Sequence, residues 1–265
     1  METVSKGDAF NGPRVTRSHI QRELPYDSVG EHDNYNPSCF NFESVKEGEE
    51  ELYAKLLAMG GDPLALKQAV CFMERHKETE FEVQSGAESA RLGDECKVVI
   101  NDFSNSNSTN YRKNVMYRIN RCTGEIEKSM VTQGRNGVGD DAVKTANRSG
   151  SNATLRGFHM LGGAHYGSKF RGIKVHGLQS GINSNCYNKA VVVHSSNYVS
   201  DSSAGRSLGC PAVKKDVFYE MKEDFMGQEG NSKNGDQVQG ILMYNYTKTE
   251  RDSGEDYCGD KLWIN

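Results

Sequence analysis

From Cys96 onward the chain alternates apolar and polar positions with a period of two, the mark of half-buried strands. Cys96-Lys-Val-Val-Ile-Asn-Asp-Phe103 and Val115-Met-Tyr-Arg-Ile-Asn-Arg-Cys122 flank a Ser/Asn-rich turn running through Asn110 and predict an antiparallel hairpin. Thr123-Gly124 then turns into a further strand through Val131. Before this stretch the period is helical. Ser44-Val-Lys-Glu47 has the form of a capping box, and Leu52, Leu56 and Leu57 follow until Gly60-Gly61 stop the helix. On this reading Glu47–Glu51 is a solvated first turn. Asp62-Pro63 opens a second helix that carries Leu66, Val70, Cys71 and Met73 toward His76, so the two make a helical hairpin.

Further on, Leu155–Tyr166 reads as a Gly-rich strand, and Val191-Val-Val193 as a buried strand ending at His194. After Pro211, Val213, Val217, Phe218, Met221 and Phe225 lie on one helical face, with Gly227 as the stop. Gly240–Tyr246 is the last strand. The pattern therefore predicts a mainly β (α+β) chain with peripheral helices, divided into an extended N-terminal arm (1–40), a helical hairpin segment (41–94), a strand-rich domain (95–246) and a C-terminal tail (247–265). The tail is charged apart from Leu262-Trp263-Ile264.

Composition narrows the function classes. With 265 residues the chain is long enough for a real core. The mean hydropathy of −0.71 is polar, but the apolar residues are clustered rather than diluted. A net charge of −4 gives no reason to expect nucleic acid, which needs a basic face. No apolar run is long enough to span a membrane. The seven cysteines show no CxxC metal spacing. Cys96 and Cys122 fall at the same end of the predicted hairpin and are the best disulfide pair; Cys39 with Cys71 and Cys186 with Cys258 are pairings by remainder. Disulfides would place the protein in an oxidising, exported compartment such as a periplasm. Glu2–Pro13 is polar and shows no export signal, which implies one already removed.

The candidate chemistry lies between Ala190 and Pro211. His194 is held at a strand end, and Cys210 follows it by sixteen residues on a Gly-containing turn. A cysteine that attacks a carbonyl needs a base, a group orienting that base, and oxyanion donors. His194 can be the base, the Ser195 main-chain carbonyl the orienter, and the N–H groups of Gly209 and Cys210 the donors. A helix starting after Pro211 would aim its N-terminus at the sulfur and favour a thiolate. The bland alternative is that Cys210 is half of a disulfide and His194 merely caps a strand.

His194-Ser195, a variable loop and Ser207-Leu208-Gly209-Cys210 resemble the signature of the L,D-transpeptidases (YkuD-like catalytic domain), closest to the branch whose motif reads Arg-Ser-x-Gly-Cys-Pro. Leu208 stands where many members have His, Ala212 where many have Asn or Arg, and Gln133 where this branch often has His. The resemblance covers roughly 95–246 and implies a β-sandwich with peripheral helices. It implies a cysteine acyltransferase acting on peptidoglycan stem peptides without a cofactor. Cys210 would form a thioester, D-Ala would leave, and a diamino-acid side-chain amine would accept the acyl group. Loops 133–150 and 162–172 become groove walls, with Tyr166 and His176 facing the groove and His159 a further contact. Arg206 and Ser207 are candidate substrate contacts, Arg206 for a stem carboxylate or else a solvated loop arginine.

His159, His165 and His176 have no HExxH or His-x-His spacing, so no metal is expected. All seven histidines precede Cys210, the reverse of papain-like and NlpC/P60-type order, and the only arginine after Cys210 is Arg251 in the tail, which disfavours a sortase. An L,D-carboxypeptidase or D-amino-acid exchange activity at the same site, and a non-catalytic disulfide-stapled wall-binding module, stay open at this point. Oligomeric state is not legible.

Overall fold

The computed structural model describes residues 49–81, 89–107, 109–138, 146–168, 171–228 and 238–252. The N-terminal arm, the Ser44 capping box, Cys39, Cys258 and the Leu262–Ile264 tail lie outside the described residues.

Two helices come first: α1 (Glu49–Ala58) and α2 (Pro63–His76). The Asp62 side chain accepts a hydrogen bond from the Leu64 N–H at 3.0 Å, so Asp-Pro caps α2 as its order demands. The acidic start of α1 is not simply solvated. Glu49 is buried and takes the Arg121 guanidinium and the Tyr53 hydroxyl, because Arg121 leaves the strand end beside it.

The strands follow as β1 (Ala90–Leu92), β2 (Lys97–Asp102), β3 (Val115–Asn120), β4 (Glu125–Met130), β5 (Gln133–Gly134), β6 (Gly157–Tyr166), β7 (Arg171–Gly177), β8 (Val192–Ser195), β9 (Arg206–Ser207), β10 (Ala212–Val213) and β11 (Val238–Tyr246). Helix α3 (Lys215–Asp224) lies between β10 and β11, and α4 (Lys248–Asp252) follows β11. Among the described residues, β10-β8-β7-β6-β11-β2-β3-β4 form one mixed sheet, with β1 pairing on β11, and β5 pairs with β9 as a separate two-stranded ribbon. The expected mainly β fold with peripheral helices is what the chain adopts. Hairpin β2–β3 runs in register from Lys97↔Asn120 to Asp102↔Val115, and Cys96 and Cys122 at its open end are joined by a disulfide with Cα atoms 5.2 Å apart.

Each face of the sheet has its own core. On one, α1 and α2 bury Leu52, Leu56, Leu66 and Phe72 against Phe158, Leu242, Tyr244 and Tyr246. The helical hairpin thus shares a core with the strands rather than standing apart. On the other, Val99, Leu161, Ile173, Val175, Val193, Val213, Phe218 and Met243 pack together, and Cys210 lies against this cluster.

Two expectations are corrected. Cys186 is a free, buried thiol rather than a partner of Cys258; its turn closes on itself, with Cys186 N–H donating to the Asn183 carbonyl and Val191 N–H to the Cys186 carbonyl. Cys71 is disulfide-bonded. The helix expected directly after Pro211 is delayed: Ala212 and Val213 pair in parallel with His194 and Ser195, and α3 begins only at Lys215. Pro211 has no N–H, and the β-branched Val213 fills the core from a strand position.

Candidate active site

Cys210 lies in the loop between β9 and β10, beside β8. Because Ala212 pairs with His194, the parallel register carried back two residues sets Cys210 beside Val192. The thiol points at the Ala190 carbonyl oxygen, 3.9 Å away. Ala190 has φ +52°, a left-handed conformation uncommon for a residue with a Cβ, and that twist turns its carbonyl toward the sulfur.

Main-chain hydrogen bonds clamp this loop from both sides. The Thr132 hydroxyl donates to the Cys210 carbonyl at 3.1 Å and accepts from the Ala212 N–H at 2.9 Å, bridging Pro211. The Thr154 hydroxyl donates to the Gly209 carbonyl at 3.2 Å and accepts from the Gly134 N–H at 2.8 Å. Both threonines are fully buried. Gly209 has φ +122°, and a Cβ there would come within 2.9 Å of the Ala153 carbonyl oxygen, so the turn before the cysteine requires glycine.

His194 presents a ring whose Nδ1 lies 2.9 Å from the Ser195 carbonyl oxygen. A carbonyl only accepts, so Nδ1 carries the proton and Nε2 is left with its lone pair, the tautomer a general base needs. Burial lowers the affinity of the ring for a second proton, opposed by the Ser195 carbonyl. Burial also raises the Cys210 thiol above the ordinary range, while the Val192 amide and the Lys189 ammonium pull it back. Both shifts favour the neutral pair. Burial thus disfavours the thiolate expected at a helix N-terminus, and β10 separates the sulfur from α3.

The other sequence-predicted residues divide. The Gly209 N–H donates to Ser207 Oγ at 3.0 Å, so it is occupied by its own loop rather than open to an oxyanion, and Ser207, buried beneath the loop, is a brace. Arg206 is exposed, its guanidinium 3.8 Å above the Tyr111 ring centroid, and it pairs with no carboxylate among the described residues. Tyr166 is 74% exposed at the strand end where β7 passes Gly172 across to His194, with Arg171 stacked at 5.9 Å. His159 and His176 do not line a groove. His159 is 1% exposed, bonds through Nδ1 to the Gly157 carbonyl at 2.9 Å, and has its pKa pushed down to about 4 by burial. His176 is equally buried and stacks on Tyr187, ring centroids 5.5 Å apart. Both occupy interior sheet positions where strands shield either side. Gln133, buried, takes Ser106 and Asn114 on its side-chain carbonyl.

Lys189, Thr132 and Thr154 are the residues around the cysteine loop that sequence reasoning passed over. Lys189 sits one residue before Ala190; its Nζ donates to Ser151 Oγ at 2.7 Å and to the Ala146 carbonyl. Its serine partner lies 38 residues away in the chain, so its place gives no sequence signal. Among the described residues no group of three or more His, Cys, Asp or Glu side chains is placed to hold a metal.

A family model described as the L,D-transpeptidase catalytic domain matches residues 73–230, which include His194 and Cys210. No curated protein matches the chain. Among solved structures, an L,D-transpeptidase from Mycobacterium smegmatis is 13% identical with a TM-score of 0.32; the match covers 63% of this chain and 66% of that one, just under two thirds of its length. An L,D-transpeptidase from Stackebrandtia nassauensis is 12% identical with a TM-score of 0.30, covering 92% of this chain and 97% of that one. At these scores neither neighbour adds weight to the family match.

Proposed function

The chain belongs to the L,D-transpeptidase catalytic-domain family, and from that premise we propose that it is a peptidoglycan L,D-transpeptidase with Cys210 as nucleophile. The observation that carries the reading is the fixed tautomer of His194, one strand from a cysteine whose loop is clamped on both sides. His194 Nε2 takes the Cys210 proton as Sγ attacks the carbonyl joining the diamino acid to the terminal D-Ala of a tetrapeptide stem. The C–N bond breaks, the imidazolium protonates the leaving D-Ala amine, and a thioester remains. A diamino-acid side-chain amine then attacks the thioester, loses its proton to His194, and releases the thiol with a 3-3 cross-link formed.

The Cys210 N–H is the oxyanion donor the loop offers; Gly209 joins it only once Ser207 Oγ turns away. Arg206, its plane already held by Tyr111, presents a fork suited to a stem carboxylate. Tyr166, exposed at the strand end near Gly172 and His194, is a further contact for the stem. The family acts on the cell wall, so the site of action is extracytoplasmic, and the Cys96–Cys122 bridge fits that compartment.

Intact-mass analysis after incubation with a carbapenem tests the reading. One adduct on the wild-type chain, absent from Cys210→Ala and strongly reduced in His194→Ala, is expected. A Cys210 that is free yet takes no adduct would overturn it. Following a labelled tetrapeptide with and without an acceptor amine separates cross-linking from carboxypeptidase activity, since hydrolysis alone releases D-Ala without a dimer.

A further inference from the structure

The turn between β7 and β8 carries chemistry that the acyl-transfer steps do not use. Asn183 anchors its start, donating through Nδ2 to the Arg156 and Phe158 carbonyls at 2.9 Å each. The Lys189 N–H donates to the Asn185 carbonyl and the Ala190 N–H to the Tyr187 carbonyl, so the backbone beneath the lysine is fixed. Its ammonium is half-buried and bound by two neutral oxygens, Ser151 Oγ and the Ala146 carbonyl, with no carboxylate paired to it among the described residues. A partly desolvated ammonium stabilises an anion formed near it more strongly than one in open water does.

Of the two free thiols among the described residues whose charge couples to the lysine, Cys186 is fully buried, which leaves Cys210 as the one open to a reaction cycle. Its thiol contacts Ala190, the residue after the lysine. The same loop that holds the lysine also holds the cysteine turn: Ser151 receives Nζ, and two residues on the Ala153 carbonyl packs against Gly209. Resting on the reading of Cys210 as nucleophile, we infer that Lys189 is its charge partner, a cation fixed beside the sulfur to stabilise the thiolate formed when His194 takes the proton.

Among the described residues, the other charged or titratable groups on elements around the sulfur are Cys186 and Tyr187 on the same turn, His194 on β8, Lys174 on β7 opposite Val192, Arg148 in the 146–155 loop, and Arg206, which is turned onto Tyr111. Among these cations, Lys189 is the one whose charge acts on the Cys210 sulfur against burial. It acts likewise on the fully buried Cys186. Burial in turn loosens the lysine's own proton, opposed by the two sulfurs, as expected of a cation that shares a site with them.

The experiment is the pH dependence of Cys210 alkylation in the full chain, read by intact mass with neutral iodoacetamide and anionic iodoacetate. A positive charge stabilises the thiolate, so removing it in Lys189→Met moves the profile to higher pH. The alkylation rate at neutral pH is expected to fall about 3- to 10-fold, the gain in intrinsic nucleophilicity offsetting part of the lost thiolate. Iodoacetate should lose more than iodoacetamide, and Lys189→Arg should keep both the profile and the reagent preference. Ser151→Ala keeps the charge and frees the ammonium, serves if Lys189→Met does not fold, and should shift the profile the same way by less. An unchanged profile and reagent ratio in variants that melt like wild type would overturn the inference and leave Lys189 a tie between loops. A Cys210 whose alkylation depends on Lys189 but that takes no carbapenem would sink the transpeptidase reading and leave this one standing. A carbapenem adduct with Lys189-independent alkylation would do the reverse.

Discussion

The two faces of the sheet are held by different physics. On the helix-covered face, large rings stack: Phe158 lies between Phe72, 4.3 Å away and nearly parallel, and Tyr244, 4.0 Å away. Area burial and dispersion dominate there, and both are indifferent to the placement of any one polar atom. On the face that carries the cysteine loop, small residues and hydroxyls set the geometry. Thr132 and Thr154 fix main-chain carbonyls, Gly209 supplies a positive φ, and Ala190 spends backbone strain to aim one oxygen. The contrast teaches that stability and reactivity are separable in this molecule, and substitutions on the two faces should separate them.

The largest expected effect is on stability alone. Phe158→Ala removes the middle ring of the stack and should cost about 3–5 kcal/mol in urea unfolding, while the folded fraction still takes a carbapenem on Cys210 at the wild-type rate. Loss of that reactivity in molecules shown to be folded would break the comparison. Next, Gly209→Ala places a Cβ against the Ala153 carbonyl at a φ that alanine resists. A cost of about 1–3 kcal/mol is expected, but carbapenem acylation should drop far more than stability, because the cysteine turn must shift to relieve the contact. Equal losses in both would argue against a separate positioning role for the loop.

Acid titration compares the faces through one histidine on each. His76, beneath Phe72 and bonded to Thr79 Oγ1, is held to a pKa of about 3, and His159, on the opposite face, to about 4, burial being the first cause in each. Each has a folded value below its unfolded one, so the unfolded chain binds the proton first. Their contribution is complete above about 6.5 and is lost as the pH falls from there toward the folded values, at up to about 1.4 kcal/mol per unit per group. Urea midpoints measured between neutrality and mild acid should fall steadily, and His159→Gln should flatten the slope without changing Cys210 alkylation. A slope that survives in both His76→Gln and His159→Gln would show that other groups carry the acid sensitivity.

How much of this was readable in the chain follows the same division. The period of two from Cys96 to Val131 marked the β2–β3–β4 meander, and Asp62-Pro63 marked the start of α2, because local rules decide those elements. The His194 ring on the Ser195 carbonyl and the free Cys210 thiol were legible because the motif keeps these residues close in sequence. The clamps were not. Thr132 lies 78 residues before Cys210 and Thr154 55 before Gly209, and a threonine in a polar stretch looks the same whether it braces a loop or faces water. His159 and His176 were misjudged for the converse reason: a histidine carries no mark of burial, and strand register alone put both inside the sheet. β10 escaped notice because two residues paired in parallel leave no periodicity, so Val213 was counted on the helix that follows.

The smallest effect sharpens the comparison within a single face. Cys186 and Cys210 are both free thiols near Lys189, yet Cys186 is fully buried and its thiol is pushed far up, first by burial and then by the neighbouring Cys210. A thiol that neither meets solvent nor ionises does not react, so native alkylation should leave Cys186 unmodified while Cys210 is consumed. Cys186→Ala removes one buried sulfur from a packed cluster and should cost about 1 kcal/mol, less than a larger core truncation. It should leave the native alkylation count unchanged and lower the count after denaturation by one. If Cys186 were instead modified in the native chain, the turn 183–191 would have to open on the labelling timescale, and the cation it carries could not be fixed beside the nucleophile.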